Sequence, residues 1–266
     1  MSFLKINLIT MENKNDDLHL KTLNWESIPA DKTVYLYKII PYKYLLRWIY
    51  EEKIRFNQVA SWDDVYELFL FKQKFVKDGS NVDFSTIQRN IYGQSWSLLR
   101  DSDALWRIYS PDKLSVRIST TYNDLVALMK KNTSCLRGID VFVGKVVYLK
   151  KNKINEKIQE YLPDVFSDNN VVDSLFVKRD SFSYEKEVRI ILKKRTECDE
   201  KAVSEQETSF TDISIRPIEL IKEIAFDYRL DDALFNCLKS TIQILLPGIS
   251  VRRSTLGTLD VNTYII

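Results

Sequence analysis

The sequence contains few of the residues on which common catalytic machineries depend. Its one histidine, His19, lies in a polar N-terminal stretch that we expect to be frayed. Ser-His-Asp and Cys-His nucleophile systems, histidine-ligated zinc and histidine phosphotransfer all need an imidazole in a structured site, so they are excluded. With six glycines, the chain also contains neither a Walker loop nor a dinucleotide-binding fingerprint. Any catalysis must therefore use carboxylates, hydroxyls, basic side chains and aromatic rings.

Cysteines and long apolar runs are also scarce. The three cysteines, Cys135, Cys198 and Cys237, are widely separated and odd in number, which argues against a disulfide framework and a zinc site. No apolar run approaches the length of a membrane span, and the N-terminus lacks the apolar core and cleavage site of a signal peptide. We therefore expect a cytoplasmic protein with no membrane partner.

Charge is nearly balanced in this chain, with 39 Lys and Arg residues against 37 Asp and Glu residues. This balance does not require a polyanionic partner, so a nucleic-acid contact would need a local basic patch. A hydrophobic fraction of 45% is sufficient for one large core. We expect an N-terminal extension over residues 1–30 and a single domain over residues 31–266.

Strand and helix patterns follow one another without regular alternation. The principal predicted strands are TVYLYKII, GQSWSLL, KLSVRIST, DVFVGKVVYLK and SYEKEVRIILKK. The principal predicted helices are PYKYLLRWIYEEK, DDVYELFLFKQKF, DSDALWRIYS, YNDLVALMKK and DDALFNCLKSTIQILL. Irregular mixing of this kind favours an α+β fold with a mixed, largely antiparallel sheet and flanking helices over a doubly wound parallel sheet.

Two of the predicted strands each carry a polar face that includes an arginine. Because side chains alternate along a strand, Glu185, Glu187 and Arg189 share one face of SYEKEVRIILKK. The same rule places Arg117 and Ser119 on one face of KLSVRIST. If the two strands are neighbours, the arginines can hold an anion while the carboxylates supply hydrogen bonds or a base. The alternative is a solvated face with cross-strand ion pairs, and both interpretations stay open.

Three further side chains have two interpretations each. Trp106 and Tyr109 stand at helical spacing, which is typical of core residues but also allows ligand stacking. Lys38 interrupts an apolar strand, either as a solvent-facing residue or as a phosphate contact at the strand end.

The order of these motifs resembles a large, mostly bacterial family catalogued as domain of unknown function 2971. The motifs that carry the resemblance are LYKI, RFN, SWSLLRDSDALWRIYS, VGKVVY and FVKRDSFSYEKEVRIIL, which together cover most of residues 33–230. The family has no assigned activity, so the resemblance supports a fold and leaves the function open.

A second series of motifs is similar to the Arg, Ser-Thr-Ser and Glu-x-Glu series of ADP-ribosyltransferases. The residues that carry it are Tyr37 and Lys38, then Ser119, Thr120 and Thr121, then Glu185 and Glu187. The resemblance implies an ADP-ribosyltransferase-like fold with NAD as a substrate. It implies that Glu187 binds the nicotinamide ribose and stabilises the oxocarbenium-like transition state, and that Glu185 helps to activate the acceptor. Lys38 stands where the family has Arg or His.

The same resemblance implies the rest of the NAD site. It assigns Ser119 and Thr120 to the nicotinamide end, and Lys38 or Arg117 to the diphosphate. The other residues that we predict to bind NAD are Tyr37, Arg189, Trp106 and Tyr109. No metal ligand belongs to this hypothesis, because ADP-ribosyl transfer needs only placed charge and stacking rings.

Two other functions compete with this hypothesis. One is a nucleic-acid binder or metal-dependent nucleic-acid-processing enzyme of a phage-defence system, in which the carboxylates hold a metal ion. The other is a non-enzymatic interaction module, in which the Glu-x-Glu-x-Arg strand forms structural ion pairs only. If the chain is an enzyme of either kind, the resemblance to these families implies a bacterial toxin or a defence effector. Its acceptor is then a protein or a nucleic acid, and its partner an antitoxin or another defence-system protein.

Overall fold

The computed structural model describes residues 9–10, 19–23, 33–82, 84–132, 136, 138–195 and 209–259. Its strands are β1 Ile9–Thr10, β2 His19–Leu23, β3 Tyr35–Pro41, β4 Lys53–Gln58, β5 Phe75–Lys77, β6 Ser80–Val82, β7 Ile91–Ser97, β8 Ser115–Thr121, β9 Ile139–Lys145, β10 Val147–Leu149, β11 Val177–Arg179, β12 Glu187–Lys194, β13 Phe210–Ser214, β14 Glu223–Phe226 and β15 Ser250–Arg253. Its α-helices are α1 Tyr42–Glu51, α2 Ser85–Arg89, α3 Asp103–Tyr109, α4 Tyr122–Lys131, α5 Lys151–Tyr161, α6 Asp168–Ser174, α7 Pro217–Leu220 and α8 Asp232–Leu245. Three 3-10 helices span Val59–Ser61, Leu162–Asp164 and Asp180–Glu185.

The chain forms two compact units that alternate along the sequence. The first unit contains the two N-terminal strands together with Ile54–Leu98 and Val126–Ser214. The second unit contains Thr33–Lys53, Leu99–Leu125 and the residues from Ile215 onward. The domain boundaries expected from the sequence stay a prediction.

The first unit is built on a sheet in the order β1-β2-β9-β12-β7, and β4 pairs with β7 and β13. β12 runs antiparallel to both β7 and β9, whereas β2 runs parallel to β9. β12 is buried along nearly its whole length because it has a strand on each edge and side chains packed on its faces. Phe142, Phe176 and Ile191 belong to the core of this unit.

The second unit is built on a sheet in the order β3-β8-β14-β15. β8 runs antiparallel to β3 and β14, and the parallel partner β15 follows β14 through helix α8, as a parallel connection requires. Two helices of this unit begin at side chains that cap them: Ser102 accepts a hydrogen bond from Leu105 N, and Asp231 accepts one from Leu234 N. The predicted α+β class with largely antiparallel pairing is confirmed.

Some of the local predictions are wrong. DDVYELFLFKQKF forms turns rather than the predicted helix, and the consecutive residues Glu67–Leu70 within it are all buried. Part of the segment 76–90, expected to be a loop, forms the β5–β6 hairpin, whose turn places Asp78 and Gly79 at positive φ.

Three other expectations concern the N-terminus, the cysteines and the membrane. The N-terminal stretch expected to be frayed contains two strands, and His19 opens β2 opposite Asp140 of β9. Cys135 and Cys198 lie outside the described residues. No helix in the described ranges is long and apolar enough to span a membrane.

Candidate active site

The glutamates of the Glu-x-Glu motif come from two different elements. Glu185 is the last residue of the 3-10 helix Asp180–Glu185, and Glu187 is the first residue of β12. Lys186 between them adopts the left-handed conformation, with φ of 43°, so the chain turns at this residue. The prediction that one strand places Glu185, Glu187 and Arg189 on one face is therefore wrong for Glu185. It is confirmed for Glu187 and Arg189, whose side chains contact each other.

A lysine that the sequence analysis did not select joins the glutamates. The Nζ atom of Lys178 on β11 lies 2.6 Å from Glu185 Oε2 and 3.3 Å from Glu187 Oε2. It also lies 2.8 Å from Glu67 Oε1, which comes from the turns that precede β5. Lys178 and all three glutamates are buried. We call these four residues and Arg189 the carboxylate cluster.

Arg189 is fully buried and completes the carboxylate cluster. Its Nε donates to Glu187 Oε1 at 2.9 Å, and its Nη2 donates to Glu187 Oε2 at 3.1 Å and to Glu67 Oε1 at 2.8 Å. Its Nη1 donates to the carbonyl oxygen of Leu175. The alternative interpretation expected cross-strand ion pairs on a solvated face, whereas the ion pairs of Arg189 are buried and lie within β12 and between β12 and the turns before β5.

An aromatic ring packs against this guanidinium. Arg189 Cζ lies 4.5 Å from the centre of the Trp62 ring, a cation–π contact. The Trp62 ring fits against β7 because the residue that it contacts there is a glycine. A Cβ atom at Gly93 would lie 2.6 Å from Trp62 Cζ2. The glycine therefore serves the close approach of Trp62 to the sheet.

Two serines of β7 and a tyrosine of β10 hold the glutamates in place. Ser95 donates a hydrogen bond to the Glu187 carboxylate, and Ser97 Oγ donates to the Glu185 carbonyl at 2.6 Å. The backbone N–H of Glu187 donates to the hydroxyl of Tyr148 at 2.8 Å. The start of β12 is thus fixed through both its main chain and its side chains.

The carboxylate cluster has an excess of negative charge, and its environment shifts the pKa values of Glu185 and Glu187 in opposite directions. Three carboxylates against one ammonium and one guanidinium leave one negative charge when all are ionised. Burial alone would raise the pKa of Glu187, but the charge and hydrogen bonds of Arg189, with Lys178 and Ser95, lower this pKa to about 2.

The pKa values of Glu185, Lys178 and the neighbouring Tyr148 are raised. Burial raises the pKa of Glu185, the charges of Glu187 and Glu67 add to this effect, and Lys178 opposes it. Burial would lower the pKa of Lys178, but its three carboxylate partners raise it above the usual range. Burial also raises the pKa of Tyr148 to about 12. The environment of the cluster thus lowers the pKa of Glu187 and raises that of Glu185.

Arg117 belongs to a separate ion-pair network in the second unit. Its Nη1 lies 2.8 Å from Asp101 Oδ2, and its Nη2 lies 2.7 Å from Glu223 Oε1. Arg252 also contacts the Glu223 carboxylate, at 2.7 and 3.0 Å. Burial would raise the pKa of Glu223, but Arg252 and Arg117 lower it. The Arg117 guanidinium is thus held by two carboxylates.

The predicted joint polar face does not form. A strand has two edges, and those of β12 are occupied by β7 and β9, whereas those of β8 are occupied by β3 and β14. The hydroxyl-bearing strand beside Glu187 is therefore β7, with Ser95 and Ser97, and not β8. The Ser-x-Ser spacing in GQSWS is the sequence signal that could have identified it.

The remaining predicted NAD-binding residues lie in the second unit. Ser119 and Thr120 of β8 are buried and lie opposite Tyr37 and Leu36 of β3. Lys38 of β3 lies opposite Ile118.

The two aromatic residues of α3 differ in exposure. Trp106 is a core residue whose Nε1 donates to Asp101 Oδ1 at 2.6 Å, whereas Tyr109 is exposed. Ligand stacking by Trp106 would require that this buried ring be freed from the core, so its contacts favour the core interpretation.

The carboxylate cluster is not arranged as a metal site. Over the ranges that the structure describes, no group of three or more His, Cys, Asp or Glu side chains could hold a metal ion. In the cluster, the ammonium and the guanidinium occupy the positions between the carboxylates.

Residues 105–190 match the sequence model of a family described as a protein of unknown function, DUF2971. The chain resembles DUF2971 over this stretch. The match confirms the predicted resemblance over a shorter range than its motifs cover, and it contains Lys178, Glu185, Glu187 and Arg189. No protein among the curated sequences matches the chain.

Two solved structures of one protein are similar to this chain. Thermus sp. 2.9 DarT in complex with NAD+ has a TM-score of 0.39 and 11% sequence identity, over 86% of this chain and 98% of that chain. Thermus sp. 2.9 DarT in complex with ADP-ribosylated ssDNA has a TM-score of 0.38 and 10% identity, over 83% of this chain and 94% of that chain. At these TM-scores, neither likeness supports an inference about the activity of this chain.

Proposed function

We propose that this protein is an ADP-ribosyltransferase that uses NAD as a substrate and Glu187 as its essential carboxylate. The observation that carries the proposal is the buried, permanently ionised Glu187 in a cluster with one excess negative charge. In ADP-ribosyl transfer, positive charge develops on the ribose as the glycosidic bond breaks. A preorganised anion in a buried site stabilises such a charge more strongly than water does.

The reaction assigns separate tasks to the two glutamates. The bond between C1′ of the ribose and N1 of the nicotinamide breaks, and its electron pair leaves with the nicotinamide. A lone pair of the acceptor forms the new bond to C1′, and the acceptor proton passes to the Glu185 carboxylate. A base with a raised pKa suits this step, because proton transfer is most effective when the pKa of the base lies near the working pH.

Residues of the first unit would hold the nicotinamide ribose. We assign this task to Glu187, whose orientation depends on Arg189 and Ser95. Tyr37, Lys38 and Tyr109 stay predicted NAD contacts. Ser119, Thr120, Trp106 and Arg117 also stay predictions, although the contacts of Trp106 and Arg117 with Asp101 favour structural roles for these two. A protein or nucleic-acid acceptor, an antitoxin or defence-system partner and a cytoplasmic location stay part of the same proposal.

The test is incubation of the purified protein with NAD labelled in its adenylate part and bacterial lysate. We expect the wild type to release nicotinamide and to transfer the label, and Glu187→Gln to lose about 10²–10³-fold in rate. Glu156→Gln is the matched control, because Glu156 is an exposed glutamate paired with Lys153 on α5 of the same unit. Equal release by the wild type and a folded Glu187→Gln protein would refute the proposal.

A further inference from the structure

Lys178 lies outside the Glu-x-Glu-x-Arg strand, yet its ammonium touches every carboxylate of the cluster. An ammonium group has three N–H donors, and Lys178 has three carboxylate partners at 2.6, 2.8 and 3.3 Å. These partners come from three different segments: the turns before β5, the 3-10 helix and the start of β12. Lys178 therefore links all three of these segments through one side chain.

The lysine is itself held in a defined place. Lys178 lies opposite Tyr148 in the parallel β10–β11 pair, and its Nζ lies 4.8 Å from the centre of the Phe182 ring. It is buried, so its ammonium cannot exchange carboxylate partners for water without loss of free energy. The geometry of Glu185 and Glu187 relative to each other thus depends on Lys178.

We propose that Lys178 is the positioning residue of this site, which holds Glu185 beside Glu187 and keeps Glu185 ionised until it accepts the proton of the acceptor. This role rests on the proposed transferase function. Two buried carboxylates that approach the same point repel each other, and one of them takes up a proton unless a cation lies between them. Lys178 supplies that cation and touches both groups.

The charged groups around Glu185 determine in which direction its pKa changes when Lys178 is replaced. Lys178 reaches Glu185 from β11, Glu187 from β12, Glu67 from the turns before β5, and Tyr148 from β10. Burial and the charges of Glu187 and Glu67 raise the pKa of Glu185, and Lys178 opposes them. Loss of the ammonium must therefore raise the pKa of Glu185 further.

The experiment compares Lys178→Met with Lys178→Arg, which keeps the positive charge. Carboxyl carbons of ¹³C-labelled glutamate are followed by NMR as a function of pH, and Glu185→Gln assigns the Glu185 signal. We expect the midpoint of Glu185 to rise by at least about one pH unit in Lys178→Met and by clearly less in Lys178→Arg. The acid limb of the pH profile for nicotinamide release should move in the same direction. Lys153→Met is the control, because Lys153 is an exposed lysine paired with Glu156.

An unchanged Glu185 midpoint in Lys178→Met would overturn the inference. If that variant does not fold, Lys178→Gln replaces it, because it removes the positive charge but keeps a polar side chain, and a constant Glu185 midpoint in this variant overturns the inference. The NMR titration does not require NAD turnover. A shifted midpoint in a protein that never releases nicotinamide would therefore reject the transferase function while supporting the control of Glu185 by Lys178.

Discussion

Tyr148 and Lys178 lie directly opposite each other in the β10–β11 pair, and both contact Glu187. The hydroxyl of Tyr148 accepts the backbone N–H of Glu187 at 2.8 Å, and Lys178 Nζ lies 3.3 Å from the Glu187 carboxylate. A short two-stranded ribbon thus fixes the first residue of β12 by its main chain and its side chain. A glutamate at a strand end is in this way held by contacts outside its own sheet.

Tyr148→Phe should destabilise the protein by about 1–3 kcal/mol, because it leaves the buried N–H of Glu187 without an acceptor. Urea unfolding followed by circular dichroism measures this loss. Tyr50→Phe serves as the control, since the Tyr50 side chain is exposed on α1. Equal losses in the two variants would show that the hydroxyl of Tyr148 does not stabilise the start of β12.

Gly93→Ala should cost about 1–3 kcal/mol, because its Cβ would lie 2.6 Å from Trp62 Cζ2. Trp62→Phe removes the outer ring atoms that meet this Cβ, so the two changes together should cost less than the sum of the separate losses. A double-mutant cycle from urea unfolding measures the coupling. Additive losses would mean that Trp62 does not set the requirement for glycine.

Stability should depend on pH through Glu187. The folded-state pKa of Glu187 is lowered to about 2 from its ordinary value of 4.5, so its contribution is fully present above pH 4.5 and is lost as the pH falls toward 2. The contribution amounts to about 3 kcal/mol. The difference in unfolding free energy between the wild type and Glu187→Gln should shrink between pH 6 and pH 3. Parallel pH curves for the two proteins would contradict the assignment.

Arg117→Met should reduce stability, and the affinity of the folded variant for NAD tests the predicted contact of Arg117 with the diphosphate. The substitution leaves Asp101 and Glu223 without a guanidinium that now lies within 2.8 Å of both carboxylates. Because these carboxylates are partly exposed, we expect a loss of about 1–3 kcal/mol, below the cost of breaking a fully buried pair. Urea unfolding and calorimetric NAD titration separate the two effects. A weaker NAD affinity at full stability would instead support the predicted contact of Arg117 with the diphosphate.

His19→Ala should change neither fold nor activity, since the proposed chemistry uses no imidazole. Although His19 opens β2, its substitution should alter the unfolding free energy by no more than about 0.5 kcal/mol. Nicotinamide release and urea unfolding of the variant check both statements. Loss of release in a stable variant would place the histidine in the reaction.

The sequence by itself determined the fold class and part of the site. The period of two in EVRIIL predicts a strand, and the structure confirms that this strand brings Glu187 and Arg189 into contact. The irregular order of strand and helix patterns predicts the α+β class. These features depend on neighbours along the chain, so local alternation and propensity are sufficient to reveal them.

Tertiary structure alone decided which residues complete the carboxylate cluster. Glu67 lies 122 residues from Arg189 in the sequence, in a segment whose pattern predicts a helix that does not form. Glu185 reaches the cluster through the left-handed turn at Lys186, and the strand beside Glu187 is β7 rather than β8. Strand order and the burial of consecutive residues result from the packing of distant segments, which no local periodicity encodes. For this reason the sequence indicates the Glu187–Arg189 pair but not the lysine that joins it to Glu185.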